Sequence, residues 1–202
     1  SQINPKYNNT IGQIETAGSV HWNRINQGVY WCLDNGVFTG KFDEEKWLKQ
    51  IESLLPNKNK CLFISIPDVL FNCEATIKQF KHYRKMIKDF PVALVSQDGI
   101  SKQNNIPWDD FDCIFIGGSD NHKLGSEGGW IINEAKKRDK WIHVGRVNSP
   151  KRILQFWQAD SWDGTHLGFI PSDVNKFHSA VLQVRAMKSQ ERMFDEVHNS
   201  IS

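Results

Sequence analysis

The side chains in this sequence that are best suited to chemistry follow short apolar runs, at the points where strands would end. They are Asp34, Asp68, Gln97 and Asp163. A carboxylate can attack an anomeric carbon as a nucleophile, or it can move a proton as a general acid or base. Asp163 suits the first role, and Asp34 suits either proton transfer or the holding of an incoming base. Asp68 and Gln97 offer acceptors and donors that match the edge of a purine with an amide and an amino group.

Two further strand ends are rich in glycine and complete the set of candidate substrate-binding residues. These residues are Gly117, Gly118, Ser119, Gly145 and Arg146. Glycine lets the backbone approach a flat ligand closely, and Lys123 and Arg146 are candidates for phosphate contacts. A single Asp after a strand is more often a turn former or a helix cap than a functional group. Six polar or glycine-rich ends in one chain are harder to explain in that way, and together they predict a functional site.

Short apolar runs alternate with amphipathic stretches along the chain. The predicted strands are residues 29–33, 61–66, 92–95, 113–116, 141–144 and 161–162, with a seventh within 11–17. The predicted helices cover residues 43–55, 73–88, 128–139, 150–158 and 174–197. Strands of continuous apolar character are buried on both faces, which is typical of parallel strands covered by helices. In such α/β proteins the functional groups collect at the carboxyl ends of the strands.

Two architectures fit this order of elements, a closed barrel and an open doubly wound sheet. Neither a GxGxxG nor a GxxxxGK[ST] loop is present, which weakens the nucleotide-binding open sheet. We therefore predict a compact α/β protein with a (β/α) TIM-like barrel whose first strand is incomplete or irregular. Its 202 residues are fewer than the roughly 250 of a typical barrel. We expect one domain over residues 1–202, with 174–202 as a C-terminal helical segment.

Composition narrows the class of protein. A net charge of +2 is too small to argue for or against binding of nucleic acid. The four cysteines include no CxxC pair, and we expect them to be buried, reduced thiols in a cytoplasmic protein. The chemistry described above needs no cofactor and no metal, and the ligand spacing of a structural zinc site is absent. No apolar run approaches the roughly 20 residues of a membrane-spanning helix, so we expect no membrane contact.

Taken in order, these strand ends resemble the tRNA-guanine transglycosylase superfamily. Residues 34–38 (DNGVF) and 95–99 (VSQDG) are similar to its D-S-G-G-F/Y-Q and I-V-Q-G-G segments. Residues 116–119 with 123–125, residues 143–146 with Pro150, and residues 160–165 are similar to G-G-L-A-V-G-E, L-M-G-V-G-x-P and D-M-F-D-C-V. The fuller segments 107–112 (PWDDFD) and 145–149 (GRVNS) look closest to the DpdA-like branch of phages and bacteria, which puts 7-deazaguanine bases into DNA.

The resemblance implies a role for each of the four polar side chains. Asp163 matches the nucleophile that displaces the base and holds a covalent glycosyl-enzyme intermediate. Asp34 matches the aspartate that acts as acid/base when the new base enters. Asp68 and Gln97 match the pair that recognises the guanine edge. The mechanism implied is a ping-pong base exchange by a pentosyltransferase, and a target base in a duplex must first be extruded.

The resemblance also implies partners. Gly118 matches a glycine whose backbone contacts the guanine carbonyl, with Gly117 beside it. We expect nucleic acid as substrate, DNA rather than tRNA, and a free 7-deazaguanine base as the second substrate. The compartment would be the cytoplasm of a bacterium or of a phage-infected cell. A homodimer and a partner subunit both remain open.

The sequence departs from the family pattern at two places. The glycine pair after the first aspartate is Asn35 and Gly36 here, and the zinc-binding cluster of Cys and His after the nucleophile is missing. The tRNA-docking surface, and the choice between exchange and hydrolysis, therefore remain open. One alternative is a barrel N-glycosidase or hydrolase that acts on a small nucleoside or nucleotide. Another is a non-catalytic module that binds a nucleotide or a partner protein.

Overall fold

Parallel strands that follow one another in the chain form a single sheet. The structure is a computed structural model and describes residues 7, 10–16, 18–40 and 42–201. Within these residues the strands are Gln13–Thr16 (β1), Trp31–Asp34 (β2), Cys61–Ser65 (β3), Val92–Ser96 (β4), Cys113–Ile116 (β5), Trp141–Val144 (β6) and Ser161–Trp162 (β7). They lie side by side in chain order, and each pair is parallel. This is the strand order of a (β/α) barrel.

The sheet is curled into a half-barrel and is not closed. Across the described residues β1 pairs only with β2, and β7 pairs only with β6. Neighbouring strands lie about 4.8 Å apart, so β3 and β6 would be about 14 Å apart in a flat sheet. The rings of Phe63 on β3 and His143 on β6 nevertheless have centroids 5.0 Å apart. The face that carries them is therefore concave, and the predicted barrel is confirmed as a curled, barrel-like α/β sheet.

Helices connect the strands and pack against the sheet. They are Trp22–Asn26 (α1), Glu44–Leu54 (α2), Cys73–Tyr83 (α3), Asp120–Leu124 (α4), Ser126–Lys136 (α5), Pro150–Gln155 (α6), His166–Phe169 (α7) and Val174–Ile201 (α8). Asp43 caps α2 by accepting the Lys46 N–H at 3.0 Å, as its sequence predicts. In the described part of the chain, no helix has both the length and the apolar character needed to cross a membrane.

The side chains of the strands divide between two apolar cores. Trp31 and Leu33 of β2 pack into the larger core, together with helix residues such as Trp47 and Phe80. The intervening Cys32 packs into a smaller cluster, whose other buried members are Phe63, Ala93 and Cys113. Because successive side chains of a strand point to opposite faces, the smaller cluster lies on the concave face and the larger one lies between sheet and helices. Asp34 shares the concave face with Cys32.

The predicted elements agree with the structure in order and type, and their boundaries differ. The first predicted run begins at residue 29, but β2 begins at Trp31 and extends to Asp34. The predicted helix 73–88 ends as α3 at Tyr83, and a 3-10 turn over Arg84–Met86 follows it. The strand expected within 11–17 is β1, although residue 17 lies outside the described residues. All four cysteines are free thiols, and Cys61 is only partly buried.

The interior strand β5 offers a test of this packing. Ile114 is fully buried in the larger core, so Ile114→Ala should lower the free energy of unfolding by about 2–5 kcal/mol. Leu182 on α8 is exposed, and Leu182→Ala should change that free energy by no more than about 0.5 kcal/mol. Urea unfolding of both variants measures the difference. Equal losses would contradict the assignment of Ile114 to the core.

Candidate active site at the carboxyl ends of the strands

The predicted site residues lie at one edge of the sheet because the strands are parallel. Asp34 is the last residue of β2, and Asp68, Gln97, Gly145 and Asp163 lie just beyond the ends of β3, β4, β6 and β7. The curl of the sheet then brings the ends of β2 and β7 towards each other. The charges of Asp163 and Asp68 are close enough to act on the carboxyl of Asp34. The structure therefore places the four polar side chains at one edge of the sheet, with Asp34 within electrostatic reach of Asp68 and Asp163.

Asp68 and Gln97 form a hydrogen-bonded, buried pair. The Nε2 of Gln97 donates to Oδ2 of Asp68 at 2.5 Å, and Oε1 of Gln97 accepts the backbone N–H of Phe71 at 2.9 Å. The amide orientation of Gln97 is therefore set by a donor on one side and an acceptor on the other. Burial raises the pKa of Asp68, although hydrogen bonds from Asn35 and Gln97 oppose that rise.

Asn35 belongs to the candidate site, and the sequence did not identify it. Its Nδ2 donates to Oδ1 of Asp68 at 2.9 Å, and the same nitrogen lies 3.0 Å from Oγ of Ser65. Its Oδ1 accepts the N–H of Val37 at 2.8 Å. Each carboxylate oxygen of Asp68 therefore has an amide donor, one from Asn35 and one from Gln97. The signal in the sequence was a carboxamide directly after the strand that ends at Asp34.

Asp163 is held by donors on both carboxylate oxygens. The ring Nε2 of His143 lies 3.0 Å from Oδ2, and the backbone N–H of Arg146 donates to Oδ1 at 3.0 Å. Burial alone would raise the pKa of Asp163. The hydrogen bond from His143, which is the largest opposing contribution, acts with the Arg146 N–H and the nearby charge of Lys123 to outweigh burial and lower that pKa below its ordinary value. Asp163 is therefore an ionised carboxylate over the physiological range of pH.

The pKa of Asp34 is shifted in the direction opposite to that of Asp163. The pKa of Asp34 is raised from 3.8 to about 6, mainly by burial and further by the charges of Asp163 and Asp68. The Gly36 N–H, which donates to its Oδ2 at 3.1 Å, opposes it. A carboxyl group with a pKa near 6 can both give and take a proton close to neutral pH. The site thus holds one carboxylate that stays ionised and one that exchanges protons.

The glycines of the site have space only for hydrogen. A Cβ at Gly145 would lie 2.8 Å from the ring of Phe115 and 3.3 Å from Oδ2 of Asp163. A Cβ at Gly117 would lie 2.8 Å from the side chain of Val95. Gly118 has a φ of +68°, which favours glycine. These residues let the strand ends approach the carboxylates closely.

Ser119 and Lys123 have structural partners. The hydroxyl of Ser119 donates to the carboxylate of Asp98 and also accepts the His122 N–H at the start of α4. Lys123 is only 4% exposed, and its ammonium donates to the carbonyl of Gly145 at 3.0 Å. A buried ammonium with that partner is not a surface group. The proposed phosphate contact of Lys123 therefore stays a prediction.

Arg146 and two exposed aromatic rings border the site. The guanidinium of Arg146 donates to the carbonyl of Gly118 and lies 4.6 Å from the ring centroid of Phe38. Phe38 and Phe71 are 55% and 56% exposed, which is unusual for phenylalanine. Phe38 follows Asp34, and Phe71 follows Asp68, within a few residues. Sequence reasoning did not single out either ring, because apolar residues in loops give no periodic signal.

A cavity of about 1320 Å³ lies on the open side of the half-barrel. It is bordered by β1 and β7 residues such as Ile14 and Ser161, and it reaches His143 and Asp163. Asp34, Asp68 and Gln97 are not among the described residues that line this cavity. Asp163 therefore borders a large open space. In the part of the chain that is described, no group of three or more His, Cys, Asp or Glu residues is arranged to hold a metal ion.

No protein-family model, curated protein or solved structure matches this chain. The function is therefore inferred from the geometry of the site.

The raised pKa of Asp34 makes a prediction about stability. A carboxyl whose pKa is higher in the folded state contributes stability below about pH 4, which is lost as the pH rises through about 6. Asp34→Asn removes this loss, so the variant should exceed the natural protein in unfolding free energy by up to about 3 kcal/mol above that pH. Urea unfolding from about pH 4 to about pH 8 measures it. A difference that shrinks as pH rises would contradict the assignment.

Proposed function

We propose that this protein is a pentosyltransferase that exchanges a guanine base in nucleic acid for a free 7-deazaguanine through a covalent aspartyl intermediate. The observation that supports the proposal is that the pKa values of two carboxyl groups in the site are shifted in opposite directions. The pKa of Asp163 is lowered and that of Asp34 is raised to about 6. Two carboxyl groups whose environments separate their pKa values are a mark of divided roles in acid–base catalysis.

The proposed reaction has two half-reactions. In the first, a carboxylate oxygen of Asp163 forms a bond to C1′ of the target nucleotide, the C1′–N9 bond breaks, and the departing guanine takes a proton from Asp34. In the second, Asp34 removes the N9 proton of the incoming 7-deazaguanine. That nitrogen then forms the new bond to C1′ and displaces Asp163, which leaves again as a carboxylate. The roles match those that the resemblance to the transglycosylase superfamily implies.

The Asp68–Gln97 pair supports a guanine-type base as the ligand. Guanine and 7-deazaguanine present the same two donors, N1–H and the 2-amino group, and they differ at position 7. A buried carboxylate beside a carboxamide offers acceptors for both donors and a donor for the base carbonyl. A pocket that reads this edge therefore accepts both the leaving and the entering base, as an exchange reaction requires.

The proposal extends to the substrate polymer. The target nucleotide would be extruded from the duplex into the site, and the exposed ring of Phe38, next to the guanidinium of Arg146, would stack on it. We favour DNA over tRNA because the segments 107–112 and 145–149 look closest to the branch that modifies DNA, and because the zinc-binding cluster of the tRNA enzymes is missing from the sequence. The half-barrel would then be a reduced TIM-like barrel in the cytoplasm of a bacterium or a phage-infected cell.

The nucleophile can be tested with two variants and a matched control. Asp163→Ala should abolish incorporation of labelled 7-deazaguanine into DNA, and Asp163→Asn should form no covalent adduct with a guanine-containing oligonucleotide. Asp160, in the turn that leads into β7, accepts the Ile142 N–H at 2.9 Å, and Asp160→Asn should retain incorporation. Mass spectrometry of the nucleosides and of the denatured protein measures both. Incorporation by Asp163→Ala at the natural rate would refute the proposal.

The base-recognition pair gives a second test. Asp68→Asn replaces one acceptor of the carboxylate with a donor, so it should weaken guanine binding by about 10-fold or more, the effect of losing a hydrogen bond to a charged group. Hypoxanthine lacks the 2-amino group, and its affinity should fall less. The ratio of the two dissociation constants, measured by calorimetry, should therefore drop. An unchanged ratio would mean that Asp68 does not read the 2-amino group.

A further inference from the structure

His143 connects the candidate nucleophile to the rest of β6 and β7. It lies on the concave face and is 2% exposed. Its ring is flanked by Phe63, with centroids 5.0 Å apart, and by Phe115, with centroids 4.6 Å apart. Two rings of this size restrict rotation of the imidazole about its side-chain bonds. The orientation of His143 is therefore set by packing before any hydrogen bond is considered.

Counting protons assigns the tautomer of this ring. The indole Nε1–H of Trp141 donates to Oγ of Ser161 at 2.8 Å, and the same oxygen lies 2.8 Å from Nδ1 of His143. A serine hydroxyl has a single proton. The oxygen can accept the indole N–H and still either donate to Nδ1 or accept from it, so Asp163 decides. An ionised carboxylate only accepts, so the Nε2 that lies 3.0 Å from Oδ2 of Asp163 carries a proton. In a neutral imidazole Nδ1 then accepts the hydroxyl proton of Ser161.

We propose that Trp141, Ser161 and His143 form a positioning chain that keeps the Nε2–H tautomer and holds the carboxylate of Asp163 in one orientation for attack. This inference rests on the proposed function, because it takes Asp163 as the nucleophile. His143 and Ser161 are positioning residues, since the proposed role acts through Asp163. The chain explains why a buried histidine and a serine face each other on the concave side of the sheet.

The chain serves both half-reactions. With the Arg146 N–H on Oδ1 and the His143 Nε2–H on Oδ2, the plane of the carboxylate is set at both oxygens. The carboxylate is then oriented before it attacks C1′, which lowers the entropy cost of reaching the transition state. In the second half-reaction Asp163 leaves as a carboxylate, and the Nε2–H stabilises the charge that returns to it. Loss of the chain should therefore slow bond making and bond breaking without changing the affinity for the base.

Substitutions at His143 separate positioning from folding. His143→Leu removes the donor and keeps a similar apolar volume, and His143→Gln restores an N–H close to the place of Nε2. His21 provides a matched control, because its Nδ1 lies 3.0 Å from Oε2 of the buried Glu15. His21→Leu therefore removes a similar contact to a carboxylate that has no part in the proposed reaction. Thermal unfolding of each variant shows which proteins are folded under the assay conditions.

The measurement is the single-turnover rate of covalent adduct formation with a guanine-containing DNA oligonucleotide, together with the dissociation constant for guanine. We expect His143→Leu to slow the adduct by about 10- to 100-fold, from the strength of a hydrogen bond to a charged group. Guanine binding should stay within about twofold, His143→Gln should recover most of the rate, and Ser161→Ala should be intermediate. His21→Leu should form adduct at the natural rate.

Different results overturn different statements. Adduct formation by folded His143→Leu at the natural rate, or no recovery in His143→Gln, would overturn the positioning chain while leaving base exchange intact. Absence of adduct in the natural protein would overturn base exchange and the role of the chain within it. Nitrogen NMR of the imidazole rings reads the tautomer without any reaction, with His143→Gln identifying the signal. An Nδ1–H tautomer at His143 would overturn the chain even if exchange occurs.

Discussion

The curl of the parallel sheet is the constraint on which the site depends. In a flat sheet of this order β2 and β7 would lie about 24 Å apart, because five strand spacings separate them. Charges at that distance are screened in water, yet Asp34 at the end of β2 responds to Asp163 beyond β7. The concave face permits this approach because small side chains at Cys32, Ala93 and Cys113 leave room for the larger rings between them.

The same concave face sets the electrostatic character of the two carboxyl groups. Both are buried, and burial by itself disfavours the charged form of either one. The difference lies in their donors. Asp163 receives hydrogen bonds from a side chain and from the backbone at a strand end, whereas Asp34 has the backbone N–H groups of Gly36 and Asn35 and two acidic neighbours. Hydrogen bonding therefore decides which of the two carboxyl groups stays ionised and which exchanges protons.

Several site residues could be read from the sequence because their position depends on local signals. An apolar run followed by a polar residue marks the end of a parallel strand, and this places Asp34, Gln97 and Asp163 at one edge. The same reasoning did not foresee the structural partners of Ser119 and Lys123. Ser119 is used to cap α4 and to bind Asp98, and Lys123 is buried against Gly145. A position beside a strand end says nothing about the direction in which a side chain points.

The sequence by itself determined the α/β class, the order of the strands and the edge at which chemistry would occur, because residue periodicity, helix caps and strand ends are local properties. Only the tertiary structure decided that the sheet is an open half-barrel, that Asn35 holds Asp68, and that His143 holds Asp163. These contacts join residues 33 and 20 positions apart in the chain. They depend on how the strands pair and how the sheet curves. The spacing of residues along the chain does not determine that curvature.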